Sequence, residues 1–230
     1  MSNAAFTLVQ NDMVILNLWV SYYRRYFDRL HVVCNGTKDE YTSYLDTQPF
    51  TYERVDGFAG NSDATVKIVR ETQRKLLETY NWVLYSDCDE YVIADPEKYE
   101  DLKDFMNKCP LDKTHCEGYE VLQDEDEKPI DYSKAYLAQR KYWFKDHSYN
   151  KPLLAKVPID WNPGCHKEYE VADEDSKEIK DTGLFLVHLK FSDLEAQRDF
   201  GPTKTVVQGN VLEAGRKEKQ PIPEKIRSLF

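Results

Sequence analysis

The stretch Asn81-Trp82-Val83-Leu84-Tyr85-Ser86-Asp87-Cys88-Asp89-Glu90-Tyr91-Val92 decides how this chain is read. An apolar run ends in three carboxylates within four residues and then turns apolar again. A strand that delivers Asp-x-Asp at its C-terminal end places hard oxygen donors at a sheet edge, where open α/β sheets bind ligands. Oxygen clusters of this kind suit Mg²⁺ or Mn²⁺. A solvated acidic turn after a core strand would carry the same letters, so the flanks must decide.

On the N-terminal side, residues 5–10 read as a strand, and Asp12 can cap a helix running to about residue 26. Ile15, Trp19, Tyr22 and Tyr26 fall at helical spacing along it. Residues 30–34 form a second apolar strand, ended by the turn signal Asn35-Gly36. A weaker helix near 39–45 leads to a third strand near 51–55. Gly57 and Gly60 break the pattern, and Ser62 or Asp63 caps the clearest helix of the chain. Its stripe is Val66, Val69, Leu76, Leu77 and Tyr80, while Lys67, Arg70, Glu71, Arg74 and Lys75 cover the other side. Residues 82–86 are the fourth strand. Strands and helices alternating at this spacing imply βαβ units and a mainly parallel sheet.

Beyond residue 95 the pattern changes. Pro96 starts a helix to about residue 108, and 117–122 alternates as a strand. Residues 123–128 are an acidic loop, 138–144 and 152–157 are short strands, and Asp160-Trp161-Asn162-Pro163-Gly164 is a turn. Residues 173–181 are charged and exposed, and 183–189 is a last buried strand. The tail from residue 192 reads as helix, broken at Gln220-Pro221-Ile222-Pro223.

With 41% hydrophobic and 31% charged residues over 230 positions, the chain can bury a sizeable core and is globular. A net charge of −10 without a basic stripe excludes a nucleic-acid binder. A small anionic ligand is still allowed, because a bound metal ion can supply the local positive charge. Sixteen tyrosines give rings for the core and for stacking on a nucleobase or a sugar face. Five cysteines at irregular spacing, with no C-x-x-C pair, support neither a zinc ribbon nor a redox motif. Reduced thiols in a cytoplasmic protein fit better. No signal-peptide pattern is present, and no apolar run approaches the roughly 20 residues of a membrane span.

Three blocks resemble the GT-A-fold glycosyltransferases, in particular the family-2-like group of short bacterial enzymes. The first is Val9-Gln10-Asn11-Asp12, followed by Trp19-Val20-Ser21-Tyr22-Tyr23, Phe27-Asp28-Arg29-Leu30 and Asn35-Gly36-Thr37-Lys38-Asp39. The second is residues 82–92, similar to the family's W-h-h-x-h-D-x-D-E-F-h. The third, looser, is Trp161-Asn162-Pro163-Gly164-Cys165-His166 with His188-Leu189-Lys190-Phe191-Ser192. Asp12 stands where the family usually has Glu, and Asn35 where an Asp commonly contacts the donor base.

The resemblance implies a GT-A-like, Rossmann-like three-layer sandwich with a mainly parallel central sheet. Residues 1–95 would be the nucleotide-sugar-binding half, 96–200 the acceptor-side half of the same domain, and 201–230 a helical tail. It implies a nucleotide-diphosphate sugar donor, UDP-sugar by preference, a saccharide or lipid-linked acceptor, and Mn²⁺ or Mg²⁺. Inversion is favoured because the family mostly inverts. With a lipid-linked acceptor, the cytoplasmic enzyme would work at the membrane surface.

By the same resemblance Asp89 binds the metal, Asp87 touches the ribose or the metal shell, and His188 is a late metal ligand. His166 lines the acceptor or diphosphate pocket, and Gln10, Asn11, Asp12 and Asn35 lie at the donor base and ribose. Asn61, Asp63 and Lys67 open the long helix, whose N-terminus favours anions. Glu90 would orient the site. An inverting enzyme needs a carboxylate against the acceptor hydroxyl, and Asp146, Glu117 and Glu120 are the candidates. The rival readings are a haloacid-dehalogenase-like phosphatase, whose nucleophile also sits on a strand ending in D-x-D, and a non-catalytic sugar- or nucleotide-binding module.

Overall fold

The computed structural model describes residues 2–10, 12–35, 42–55, 62–169, 182–193 and 218–229. In chain order the elements begin with β1 (Ala4–Val9), α1 (Met13–Tyr23), β2 (Arg29–Asn35), α2 (Thr42–Leu45) and β3 (Thr51–Val55). Then come α3 (Ser62–Leu77), β4 (Val83–Tyr85), β5 (Glu90–Ala94), α4 (Leu102–Lys108), β6 (Lys113–His115) and β7 (Glu117–Leu122). β8 (Tyr142–Lys145), β9 (Pro152–Ala155), β10 (Leu184–Phe191), β11 (Gln220–Pro221) and α5 (Glu224–Arg227) complete the series.

Two sheets organise the molecule. The first has the order β3-β2-β1-β4-β9-β6. Its strands β3, β2, β1 and β4 run parallel, while β9 pairs antiparallel with β4 and β6 with β9. This is the α/β architecture with a mainly parallel central sheet that the strand–helix alternation predicts. The second sheet has the order β11-β8-β7-β10-β5. A continuous apolar core runs from Ala5 and Phe6 of β1, through Trp19 of α1 and Val69 of α3, to Val92 of β5 and Leu186 of β10.

Helix α1 explains how the two sheets meet. Its aromatic residues Trp19, Tyr22 and Tyr23 are all buried. β5 is an edge strand of the second sheet, and an edge carries unpaired backbone groups that must find partners when buried. Val92 N donates to the Tyr23 hydroxyl at 2.7 Å, which donates to Glu90 O at 3.2 Å, and the Tyr22 hydroxyl donates to Val92 O at 2.9 Å. Two phenols thus take the place of a neighbouring strand.

Several boundaries move from their sequence expectation. α1 stops at Tyr23 rather than near residue 26, and Phe27 N closes a turn back to Tyr23 O. The helix expected from Pro96 begins only at Leu102, capped by Asp101, which accepts from Asp104 N at 2.9 Å. Asp95 diverts the preceding residues, because its carboxylate takes Glu97 N at 2.9 Å and its carbonyl takes Lys98 N and Tyr99 N. Residues 137–139 form a 3-10 turn rather than strand, so β8 starts at Tyr142. The expected helical tail lies mostly outside the described residues. Its described end makes the short β11 beside β8 and the single turn α5. The Asn35-Gly36 turn, the Gly57–Gly60 break and the charged run 173–181 also lie outside, apart from the Asn35 backbone.

Candidate functional site

From β1 the chain moves out through β2 to β3 on one side, and then returns to place β4 on the other. Strand order therefore reverses between β1 and β4, and it is beyond the C-terminal ends of strands at such a reversal that α/β sheets bind ligands. Asp12 follows β1, and Asp87 and Asp89 follow β4.

The acidic turn is built on alternation. Ser86 and Cys88 point inward and are buried, while Asp87 and Asp89 are half-buried and face out. Ser86 Oγ accepts from Trp19 Nε1 at 2.9 Å, and Cys88 Sγ lies 3.3 Å from Thr7 Oγ1. Glu90 N closes the turn onto Asp87 O at 3.0 Å, and Leu189 N of β10 donates to Asp89 O at 2.9 Å. Cys88 is thus an anchor to β1, and burial pushes its thiol far from the reactive range.

Sheet register brings the second part of the site. His188 stands opposite Glu90 of β5 and Glu120 of β7. The strand expected over 183–189 runs on as β10 to Phe191, through an irregularity in its pairing with β7. His188 Nε2 lies 3.2 Å from Asp89 Oδ2, and Nδ1 lies 2.7 Å from Glu120 Oε2. Burial alone would lower the His188 pKa, but Asp89 and then Glu120 overcome it and hold the imidazolium well above its ordinary range. Against its own desolvation, Asp89 is correspondingly held low by His188.

A second cation sits beside the first. The Lys151 side chain, only 4% exposed, bonds Glu90 Oε1 closely and lies 4.0 Å from Asp87 Oδ2. Its ammonium also faces the Tyr149 ring at 5.4 Å, and that ring packs on His188 at 4.2 Å. Despite burial, Glu90 and Asp87 raise its pKa, so it stays charged. The site is therefore two parallel relays, Glu120–His188–Asp89 and Glu90–Lys151–Asp87. In each, a fully buried glutamate holds a cation against a half-exposed aspartate.

The other expected residues fall out as follows. Asp12 caps α1, accepting from Ile15 N at 3.0 Å, and burial with Asp89 nearby raises its pKa. Gln10 is exposed just past β1. Asn11, Asn61 and the Asn35 side chain lie outside the described residues. Asp63 and Lys67 are exposed on the first turns of α3, with Lys67 turned to Glu71 at 3.9 Å. Glu90 is buried against Lys151 and lies behind Asp87 and Asp89.

The base candidates are all engaged by other groups of the protein. Asp146 Oδ1 accepts from Ser148 N at 3.0 Å and from Ser148 Oγ at 2.7 Å. Glu117, three positions from Glu120 on β7, lies on the opposite face, bonded to Tyr119 and Lys145. Glu120 is fully buried behind His188. His166 follows Gly164 and Cys165, both at positive φ (89° and 57°), and its Nδ1 donates to Ser148 O at 2.6 Å. Burial and then Lys151 lower its pKa, which leaves a neutral ring with its lone pair on Nε2. Lys151 and Tyr149 were missed by sequence reasoning. A single lysine ahead of Pro152-Leu153-Leu154-Ala155 carries no spacing signal.

Among the described residues, no group of three or more His, Cys, Asp and Glu side chains is arranged to hold a metal ion. Asp89 Oδ2 and His188 Nε2 nevertheless converge, and Glu120 backs the histidine as such ligands are usually backed. To hold an ion there His188 Nε2 must first give up its proton, and the remaining ligands would come from phosphate oxygens and water.

The raised His188 pKa gives a pH prediction for protein stripped of divalent ions. The folded value lies above the unfolded one of about 6.5. The stabilisation is therefore complete below about pH 6.5 and is lost as pH rises through the folded value. The stability difference between wild type and His188→Asn in urea denaturation should shrink from about pH 6 to about pH 9. A constant difference would mean that folding leaves the His188 pKa unshifted.

No helix among the described residues is long and apolar enough to cross a membrane. No family model matches the chain, and neither does any curated protein. Among solved structures the chain is similar to 4-diphosphocytidyl-2C-methyl-D-erythritol synthase, at 14% identity and TM-score 0.40, over 100% of this chain and 99% of that one. It is also similar to CMP:2-keto-3-deoxy-manno-octonic acid synthetase complexed with CTP, at 10% identity and TM-score 0.37, over 100% and 98%. Likeness at that level carries no argument about activity, and the fold class rests on the chain's own strand order.

Proposed function

We propose that this protein is a nucleotide-binding transferase, specifically a glycosyltransferase. It would move a sugar from a nucleotide-diphosphate sugar, UDP-sugar in the first instance, to a saccharide or lipid-linked acceptor, with inversion. One observation carries the reading: Asp89 stands at the strand-order reversal facing the imidazole of His188, with Glu120 fixing that imidazole from behind. Mn²⁺ or Mg²⁺ held by Asp89 and His188 would neutralise charge on the departing diphosphate.

The chain's own residues do the rest. Ser86 and Cys88 fix the turn so that Asp89 needs little rearrangement when a ligand arrives. Lys151 keeps a positive charge beside Asp87. Asp12 holds the start of α1 just past the C-terminal end of β1. His166, a neutral ring anchored by Ser148, stands across Tyr149 from His188 and lines the acceptor side.

The test is a thermal-shift screen of UDP, GDP and CDP and their sugars, with and without Mn²⁺. A ligand at a hundred times its Kd stabilises by about 2.7 kcal/mol. In a chain of this size that is a rise of roughly 6–10 °C. The rise should require both nucleotide and ion, and sugar transfer by the same protein separates an enzyme from a binder. No shift with any nucleotide would sink the reading.

A further inference from the structure

The two relays differ in what they leave available to a ligand. Among the described residues, His188 is the one side chain bonded to Asp89, which is 38% exposed. Asp87 is more exposed, at 48%, yet both its oxygens are engaged. Oδ1 accepts from the buried Tyr85 hydroxyl at 2.6 Å, and Oδ2 faces the Lys151 ammonium at 4.0 Å. Behind Lys151, Glu90 is fully buried, and among the described residues its Oε2 has no hydrogen-bond partner. One buried ammonium therefore serves two carboxylates, one closely and one at a distance. A free Asp-x-Asp pair would offer two carboxylates to a divalent ion, and the geometry here withholds one.

We propose that Lys151 is a positioning residue that keeps Asp87 from becoming a metal ligand. The site then takes a single divalent ion on Asp89 and His188 and completes its shell with the phosphates of the incoming donor. The inference rests on the functional reading above and adds what that reading leaves open. The ion and the nucleotide diphosphate bind as one unit, and free ion binds poorly.

Two substitutions should move metal affinity in opposite directions. Lys151→Met frees Asp87 and removes a positive charge, so Mn²⁺ alone should bind about tenfold tighter. Glu90→Gln leaves the whole ammonium to Asp87, so Mn²⁺ should bind about threefold more weakly. Lys151→Arg, which keeps the charge, should stay near wild type. A merely structural role would weaken binding in both Lys151→Met and Glu90→Gln.

Mn²⁺ binding is read by electron paramagnetic resonance of the free ion, with and without UDP, and folding by circular dichroism. Opposite shifts support the proposal. A shared direction, or no change in either variant, overturns it. If Lys151→Met does not fold, Glu90→Gln decides, and unchanged or tighter binding there overturns the proposal. Wild-type protein that takes no Mn²⁺ even with UDP overturns the functional reading and this inference together. Wild-type protein that takes two ions, or binds Mn²⁺ equally well without UDP, overturns this inference alone.

Discussion

Replacing Asp89 with alanine should abolish Mn²⁺-dependent binding of UDP, weakening it about a hundredfold or more, while the protein stays folded. The estimate takes a carboxylate–metal contact as comparable to a lost oxyanion-hole donor, which costs about 2.7–4 kcal/mol. Folding should be spared because the Asp89 side chain is 38% exposed, and because the backbone bond from Leu189 N to Asp89 O does not need the carboxylate. Isothermal titration with UDP, with and without Mn²⁺, measures the effect. Unchanged metal-dependent affinity in a folded variant would remove Asp89 from the site. His188→Ala is a less clean experiment. It would leave Glu120, fully buried, without its cation, and a stranded buried charge destabilises by about 3–5 kcal/mol.

Trp19→Ala is expected to destabilise the protein by about 3–5 kcal/mol, the usual cost of emptying a core tryptophan site. Trp19 is fully buried, its ring lies 4.9 Å from that of Tyr23, and its indole donates to Ser86 Oγ. The substitution removes packing and an anchor of the acidic turn together, so donor affinity should fall even under conditions where the variant is folded. Urea denaturation checks the first effect and titration at low temperature the second. A stability loss under about 1 kcal/mol would show that α1 does not hold the turn as described.

How much of this was legible follows from where each signal lies along the chain. The first sheet could be read because β1, β2 and β4 are apolar runs, each announced by its own cap or turn, with α1 and α3 between them. Asp12 shows how one residue can be read twice: its helix cap was expected, and the cap is what the structure displays. Asp89 and His188 were assigned to one site by resemblance, and the register of β5, β10 and β7 does bring them within 3.2 Å.

The second sheet was far less visible. Its central pairing joins β7 to β10, with Glu120 and His188 68 positions apart, and no local pattern encodes such a partnership. Glu120 alternates correctly for a buried strand face, but nothing in its neighbourhood says that it faces an imidazole rather than an acceptor. Lys151 was invisible for the same reason. Its meaning comes from Glu90 and Asp87, more than 60 positions earlier. The false start of α4 was different in kind. A proline after an aspartate looks like a helix opening, but Asp95 spends its carboxylate and carbonyl on a tight turn, and the true cap is Asp101.

The acidic turn is also a splice. β4 ends in one sheet and β5 begins in the other, with Ser86 to Asp89 as the whole of the crossing. Asp89 borders β5, whose first residue Glu90 pairs with His188, so whatever bridges Asp89 and His188 tightens the point where the crossing enters the second sheet. A bound ion would stiffen the crossing at its far end, so a donor that has been used and released should leave behind a looser turn than the one that held it.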